Sequence, residues 1–443
     1  MAHILILGLG PIPLEKSRLF QAGGNRAWHL ADALRGAGHQ VTMLCMRVTA
    51  GGVSNRQIER IEKEDLVYVS VDEVTHFAND SFLRRFVEET RPDILVGACA
   101  YPAARAAVIA GDLPLWVDLH GYQMGEAQVK AFRDKEDGFR FHFWDRYRPA
   151  LERGDRFSTT SEPHRYAVIG ELGAIGRLNR HTFGEDMIHT IPIGWATLPM
   201  REKALRKLEA PFTVFYSGGF NTWCDVQTLF HGLESAMRKD SRIRFLSTGG
   251  AIDGHDETTY PEFQRLVEVS AFRDRFDLRG WVPSEDLPGI QEQADLFINV
   301  DRFCYETLIG ARNRITEMMV RGIPVLSTLG TEISWILQEN TCGLGAPIGD
   351  FEALSQRILC AADHPHDLQE MAQRARRLFE ERFTYKATAK PLLEWAETPV
   401  RAGDAGKGVV LFTGPPPAVE IRGIRAGLRL IREGLTRKIR RDQ

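Results

Sequence analysis

Cysteine is scarce. Six residues, at positions 45, 99, 224, 304, 342 and 360, are scattered over 443 with no Cys-x-x-C pair. That argues against a zinc site and fits a reducing, cytoplasmic compartment. No apolar run approaches the roughly 18 residues needed to span a bilayer. The start, Met1-Ala2-His3-Ile4-Leu5-Ile6-Leu7-Gly8, has no basic segment and runs straight into a strand, so no signal peptide is expected. No sign of charge dominates either: 56 Lys and Arg stand against 59 Asp and Glu, a net charge of −3, which argues against a general nucleic-acid binder. The dinucleotide fingerprint is incomplete. Gly8-Leu9-Gly10 is followed by Pro11-Ile12-Pro13 instead of a third glycine opening a helix, and the second strand runs into Met46-Arg47 rather than an acid. An NAD or FAD role is therefore poorly supported.

What is present is a soluble globular composition, 43% hydrophobic and 26% charged, in a chain too long for one ordinary core. Strand-like runs alternate with amphipathic stretches at His3–Leu7, Gln40–Cys45, Leu66–Ser70, Asp93–Gly97, Leu115–Asp118, Arg156–Thr160 and Ile188–Pro192. The series restarts at Thr213–Ser217, Ile243–Thr248, Phe276–Arg279, Leu296–Val300 and Ile323–Ser327. Nearly continuous β-branched runs with helices between them predict parallel, doubly wound α/β sheets, and two series predict two Rossmann-like domains. The expected division is 1–195, a linker at 196–211, a second domain at 212–382, a segment 383–398 crossing back to the first, and a tail at 399–443.

The densest signal lies between Val300 and Thr328. A buried strand leads into a loop holding Asp301, Glu306 and Gly310. A short helix follows, with Ile315, Met318 and Met319 at helical spacing and Gly322 at its left-handed end. Arg312, Arg314 and Glu317 thus sit at or near a helix N-terminus beside the carboxyl end of a strand, where open α/β sheets bind ligands. The helix end and two arginines suit a phosphate, and Glu317 suits a ribose diol. A solvated charged face on an ordinary crossover helix is the alternative.

The order of Glu306, Glu317 and Arg321-Gly322-Ile323-Pro324-Val325 resembles the nucleotide-sugar site of retaining GT-B glycosyltransferases, family 4 in particular. There two glutamates are separated by seven residues and followed by a G-x-P-V-V turn. Here ten residues separate Glu306 from Glu317, so Glu317 is the firmer match. The resemblance implies a GT-B plan, with two Rossmann-like domains facing across a cleft. It also implies transfer of a sugar from a UDP- or GDP-type donor to the hydroxyl of a glycan or lipid-linked acceptor with retention, and neither metal nor cofactor. The chain has no D-x-D triplet.

Further site residues follow from the same resemblance. Gly23-Gly24, opening a helix through Leu34, matches the glycines that face the donor diphosphate; a tight turn before a helix explains them equally well. Asp118-Leu119-His120-Gly121 matches a strand-end turn near the reacting sugar. That makes His120 the catalytic-centre candidate, with Asp118 fixing its tautomer and Glu306 beside it. Gly219 and Asn221 lie in a loop where the family places an arginine and a lysine. Neither is present, and Arg312 with Arg314 is expected to supply that charge. Gly280-Trp281-Val282-Pro283 matches a turn whose backbone, at Val282, meets the base.

Two stretches are less constrained. Glu126–Arg148 mixes Phe132, Phe139, Phe141, Phe143 and Trp144 with many charges, as a lid over the acceptor or a helix with an aromatic core face. From Ile421 to Gln443 the chain has eight basic and two acidic residues, with Ile421, Ile424, Leu428, Ile431, Leu435 and Ile439 at three- and four-residue steps. That pattern predicts a helix in an anionic membrane interface at the inner face, or one packed on the protein's own surface. Rival activities within the fold are a phosphorylase, a nucleotide-sugar epimerase and a non-catalytic glycan-binding scaffold.

Overall fold

A computed structural model describes residues 1–15, 22–48, 58–198 and 205–407. The basic stretch 421–443 and residues 199–204 of the expected linker lie outside the described residues.

The buried runs form two sheets. The first contains β1 (His3–Gly10), β2 (Gln40–Arg47), β3 (Glu59–Lys63), β4 (Leu66–Val71), β5 (Ile94–Ala98), β6 (Leu115–Leu119), β7 (Arg156–Thr159) and β8 (Ile188–Thr190). Their order is β3-β4-β2-β1-β5-β6-β7-β8, parallel except for β3 against β4. The second contains β9 (Phe212–Ser217), β10 (Ile243–Thr248), β11 (Phe276–Leu278), β12 (Leu296–Asn299), β13 (Val325–Thr328) and β14 (Leu344–Ala346), all parallel, in the order β11-β10-β9-β12-β13-β14. Strand order reverses between β1 and β5 in the first sheet and between β9 and β12 in the second. Those reversals open crevices at the carboxyl ends.

Both faces of each sheet are covered, which is why the strands read as unbroken apolar runs. In the first domain Ile4 and Ile6 face one core while Leu5 and Leu7 face the other. In the second, Val214 and Tyr216 lie on one side and Phe215 on the other.

The chain then returns. Trp195 N–H bonds the Phe383 carbonyl at 3.1 Å. The helix Lys390–Glu397 buries Leu392 and Trp395 in the first domain's core, with Trp395 tilted against Trp116. The stretch beyond it is anchored too. Arg177 forms a buried pair with Asp404 at 2.8 Å, and Arg401 bonds Asp155 at 3.1 Å. A tail beginning at 399 is therefore corrected: the segment 399–407 docks on the first domain.

Three other expectations change. β3, Glu-Arg-Ile-Glu-Lys, is an edge strand with no buried residue, so it carries no hydrophobic pattern. The loop after β12 contains a short helix, Tyr305–Ile309, which carries Glu306. Glu126–Arg148 falls on two helices, Gln123–Asp134 and Phe139–Arg153. Their aromatics are divided: Trp144 and Tyr147 pack on the first domain's core, whereas others face outward. Phe132 is 61% and Phe141 71% exposed, and Tyr147 is the buried aromatic of the pair.

Candidate active site

The carboxyl ends of the two sheets face each other and touch. Ser161, capping the helix Glu162–Ala174, donates its hydroxyl to the Ile309 carbonyl at 2.6 Å. The Glu162 N–H meets Glu332 at 3.1 Å. Arg133 of the Gln123 helix donates to the His255 carbonyl and lies 3.8 Å from Asp256.

On the second domain's side three strand-end loops are bonded directly to one another. Gly218 N–H donates to Thr248 O, Gly249 N–H to Gly280 O at 2.7 Å and Phe220 N–H to Gly250 O. Gly249, at φ 96°, could carry no side chain: a Cβ would lie 2.1 Å from the Gly218 carbonyl oxygen. Beside these loops the helix Asn313–Arg321 begins, with Arg312 at its N-cap and Gly322 left-handed at its end. Of its first-turn N–H groups, that of Ile315 is taken by the Arg312 carbonyl at 3.0 Å, while those of Asn313 and Arg314 precede any intrahelical partner. Arg314 reaches from that turn to the Tyr216 hydroxyl and, at 3.1 Å, to the Gly219 carbonyl. The guanidinium thus lies against the Gly218-Gly219 loop. Asn221, in the same loop, holds a buried side-chain oxygen with no hydrogen-bonding partner among the described residues. Val282 packs partly buried beside the loops. Glu317, one turn along the helix, accepts from Gln291 and Arg321 at 3.0 Å, both on Oε1.

Arg312 does not join this group. It is buried, bonding Asp301 at 3.0 Å through Nε and both oxygens of Glu306 at 3.0 and 2.8 Å. Trp223 covers it at 5.5 Å. Burial opposes the charge, but Asp301 and Glu306 outweigh it and raise its pKa. Two expectations are therefore corrected. Arg312 has no donors left for a diphosphate, and Glu306, held at both oxygens, is not available as a catalytic carboxylate.

On the first domain's side Asp118 is also committed. It receives Arg26 at 2.6 and 3.0 Å and the Ser158 hydroxyl at 2.6 Å, in full burial. It is the counter-ion of Arg26 rather than the partner that orients His120. Arg26 goes on to bond the carbonyls of Ile191 and Pro192, tying the helix Ala22–Gly36 to the segment leaving β8. The glycines opening that helix serve packing. A Cβ on Gly24 would lie 2.0 Å from the Pro11 carbonyl oxygen, and one on Gly23 2.7 Å from the Leu9 side chain. The close approach read as room for a phosphate is filled by the chain's own β1 exit. His120, half-buried at the end of β6, is held down to about 4 by burial and then by Arg26, against Asp118 and Asn313. Its ring is neutral at physiological pH. Across the β1/β5 crevice Cys99 adopts φ 75°, a left-handed conformation costly for a side-chain-bearing residue.

Sequence reasoning missed Arg26, whose single signal was an arginine in the first turn of a helix otherwise read for its glycines. It also missed the pairing of Arg312 with Glu306. A spacing of six residues brings them together because the chain makes a helical turn and then reverses at Gly310.

Comparison with known proteins decides the family. Residues 22–184 match the glycosyl transferase 4-like domain, and residues 211–364 match glycosyl transferases group 1. The chain belongs to the GT-B glycosyltransferases. No curated protein matches it by sequence. Solved structures are similar in fold at low identity. Sucrose-phosphate synthase from Thermosynechococcus elongatus superposes with a TM-score of 0.66 at 15% identity, covering 90% of this chain and 98% of that one. Anabaena HepE in complex with UDP and glucose gives 0.65 at 15%, covering 90% and 100%. An Escherichia coli trehalose-6-phosphate protein bound with UDP-2-fluoro glucose gives 0.63 at 12%, also covering 90% and 100%. Among the described residues no helix is long and apolar enough to cross a membrane.

Proposed function

We propose that this GT-B glycosyltransferase moves a hexosyl group from a UDP- or GDP-sugar to a glycan or lipid-linked hydroxyl, with retained anomeric configuration and without a metal. The observation that carries the reading is the convergence of Arg314, the N-terminus of the Asn313 helix and the Gly218–Asn221 loop opposite His120. A departing diphosphate placed there meets one guanidinium and a helix end, in a site whose donors are already fixed. Asn221 offers its unpartnered oxygen to the donor. The Glu317 Oε2, outside the Gln291 and Arg321 bonds, faces the role of ribose acceptor, and the backbone at Val282 that of base contact. Neutral His120 bonds a hydroxyl of the transferred sugar. Neighbours of the same fold bound with UDP and glucose support this donor class. The basic stretch 421–443 fits an acceptor presented at an anionic membrane face.

One observation favours a second reading. The donor loop has no lysine or arginine of its own and Arg312 is occupied, which suits a scaffold that binds glycan without transfer. A thermal-shift screen against UDP-, GDP- and ADP-sugars, followed by assay of nucleotide release with candidate acceptors, separates the two. A donor at 100 times its Kd stabilises by about 2.7 kcal/mol. Stabilisation with nucleotide release supports transfer; absence of both supports the scaffold.

A further inference from the structure

Five glutamates along the facing rims have unequal surroundings. Glu306 holds Arg312, Glu317 holds Gln291 and Arg321, Glu332 holds the Glu162 N–H, and Glu162 receives the Thr190 hydroxyl. The fifth, Glu126, is different: its carboxylate has no hydrogen bond or ion pair among the described residues. A half-buried carboxylate left unpaired inside a cleft is costly unless something else meets it.

Its placement is defined by two glycines. Glu126 stands in the first turn of the Gln123–Asp134 helix, three residues past the turn that carries His120. Its side chain folds back over that turn, with Oε1 2.6 Å from the position a Cβ on Gly121 would take. The adjoining Gly125 is packed so closely on the other domain that its Cβ would lie 3.3 Å from the Glu306 Cα. The carboxyl therefore lies between the His120 turn and the Glu306–Arg312 pair. Both glycines keep that approach open.

We propose that Glu126 is the group that receives the acceptor: its carboxylate accepts the hydrogen bond of the attacking hydroxyl and takes its proton. The acceptor oxygen bonds to the anomeric carbon from the same face on which the diphosphate departs, as the bond from that carbon to the diphosphate oxygen breaks, so configuration is retained. Its electron pair leaves with the diphosphate, beside Arg314, and the proton resides on Glu126 until it passes to the leaving group or solvent. This assignment rests on the transferase reading above. The environment suits the task. Burial, then the charge of Glu306, pushes the Glu126 carboxyl up to about 7, against Lys130 on its own helix and Arg312 across the cleft. A base poised near neutrality is an efficient proton acceptor.

The test uses the full-length protein with a donor found by thermal shift and a panel of mono- and disaccharide acceptors. Glu126→Gln keeps the shape and loses the basicity. Glu126→Asp keeps the basicity and guards against a folding defect. For Glu126→Gln the expected result is donor affinity and acceptor-independent nucleotide release within twofold of wild type, with acceptor-dependent turnover down roughly a hundredfold or more. The rise of acceptor kcat/KM through about pH 7, expected in the wild type, disappears in the glutamine variant and returns in the aspartate variant. Wild-type transfer by Glu126→Gln, with the same pH profile, overturns the assignment alone. A wild-type chain that binds none of the donors and releases no nucleotide overturns the transferase reading, and this assignment with it.

Discussion

Arg26 in the first domain and Arg312 in the second are buried arginines near the facing ends of the sheets, and the two are balanced differently. Arg26 meets one carboxylate, Asp118, and two backbone carbonyls, so its cluster is neutral. Arg312 meets two carboxylates, Asp301 and Glu306, so its cluster carries a formal surplus of negative charge. A neutral, fully bonded cluster is a joint: it fixes the first helix to the chain leaving β8. A negative one shapes what can approach. On the function proposed above, a diphosphate would be repelled by the Asp301–Glu306 side and drawn to Arg314 and the helix end next to it, so its place would be set by exclusion as well as attraction.

The largest test of this difference is to remove each arginine's balance. Arg312→Ala leaves two carboxylates buried side by side and should cost about 3–5 kcal/mol. Asp118→Ala leaves Arg26 its two carbonyls and should cost less. Urea unfolding of both variants measures the gap, and equal losses would remove the distinction between the clusters.

Next in size is the separation of anion binding from stability. Arg314→Ala should weaken donor binding about tenfold to a hundredfold, the worth of a charge-assisted hydrogen bond of about 1.5–3 kcal/mol, while leaving the melting temperature nearly unchanged. Glu317→Ala should lie at the lower end of that range. Titration calorimetry with the donor and a melting curve decide the matter together: parallel losses would make Arg314 a structural residue like Arg312. His120→Ala should lower turnover more than donor affinity, and an equal loss of activity and stability would mark the ring as packing.

The smallest effect is in pH. Burial above all holds His120, His164 and His255 down to about 4, 3 and 4, so the folded chain keeps them neutral where an unfolded one protonates near 6.5. Their contribution is complete above pH 6.5 and is lost as pH falls toward 4. Glu126 and Glu171, pushed up to about 7 chiefly by burial, act oppositely, losing stability as pH rises from about 4.5 to 7. His29, His39 and His189, also lowered chiefly by burial, add to the first group, and Asp32, Glu306 and Glu332, also raised by it, add to the second, so the two nearly cancel and should leave a shallow rise of melting temperature with pH between 4.5 and 6.5. Glu126→Gln should steepen it, and an unchanged slope would show the carboxyl to be ordinary.

These clusters also mark where the sequence could be read and where it could not. Parallel strands buried on both faces are long apolar runs, so twelve of the fourteen strands are visible as such. β3 is not, because an edge strand with charged residues on both sides has no pattern to detect. β14, Leu-Gly-Ala, is too short to have one. The position of Arg312, Arg314 and Glu317 at a helix start was legible from Gly322 and the spacing of Ile315, Met318 and Met319. Which of the two arginines is locked between carboxylates and which reaches the Gly218-Gly219 loop was not, because that depends on the Tyr305–Ile309 helix delivering Glu306 into bonding range. Gly23 and Gly24 show the converse. Their absence of side chains was evident, but what fills the space was not, because Pro11 comes from another element.

The return of the chain onto its own beginning has a consequence for synthesis. Leu392 and Trp395 complete the core formed by Ile4, Ile6, Leu30 and Trp116, and Asp404 closes the pair with Arg177. A ribosome that has released only the first half of the chain presents a sheet with part of one apolar face, beside the Ala22–Gly36 helix, left uncovered and awaiting a helix some two hundred residues away. The second domain must emerge before the first can finish folding. The interval is a period of exposed hydrophobic surface in which a chaperone has something to hold.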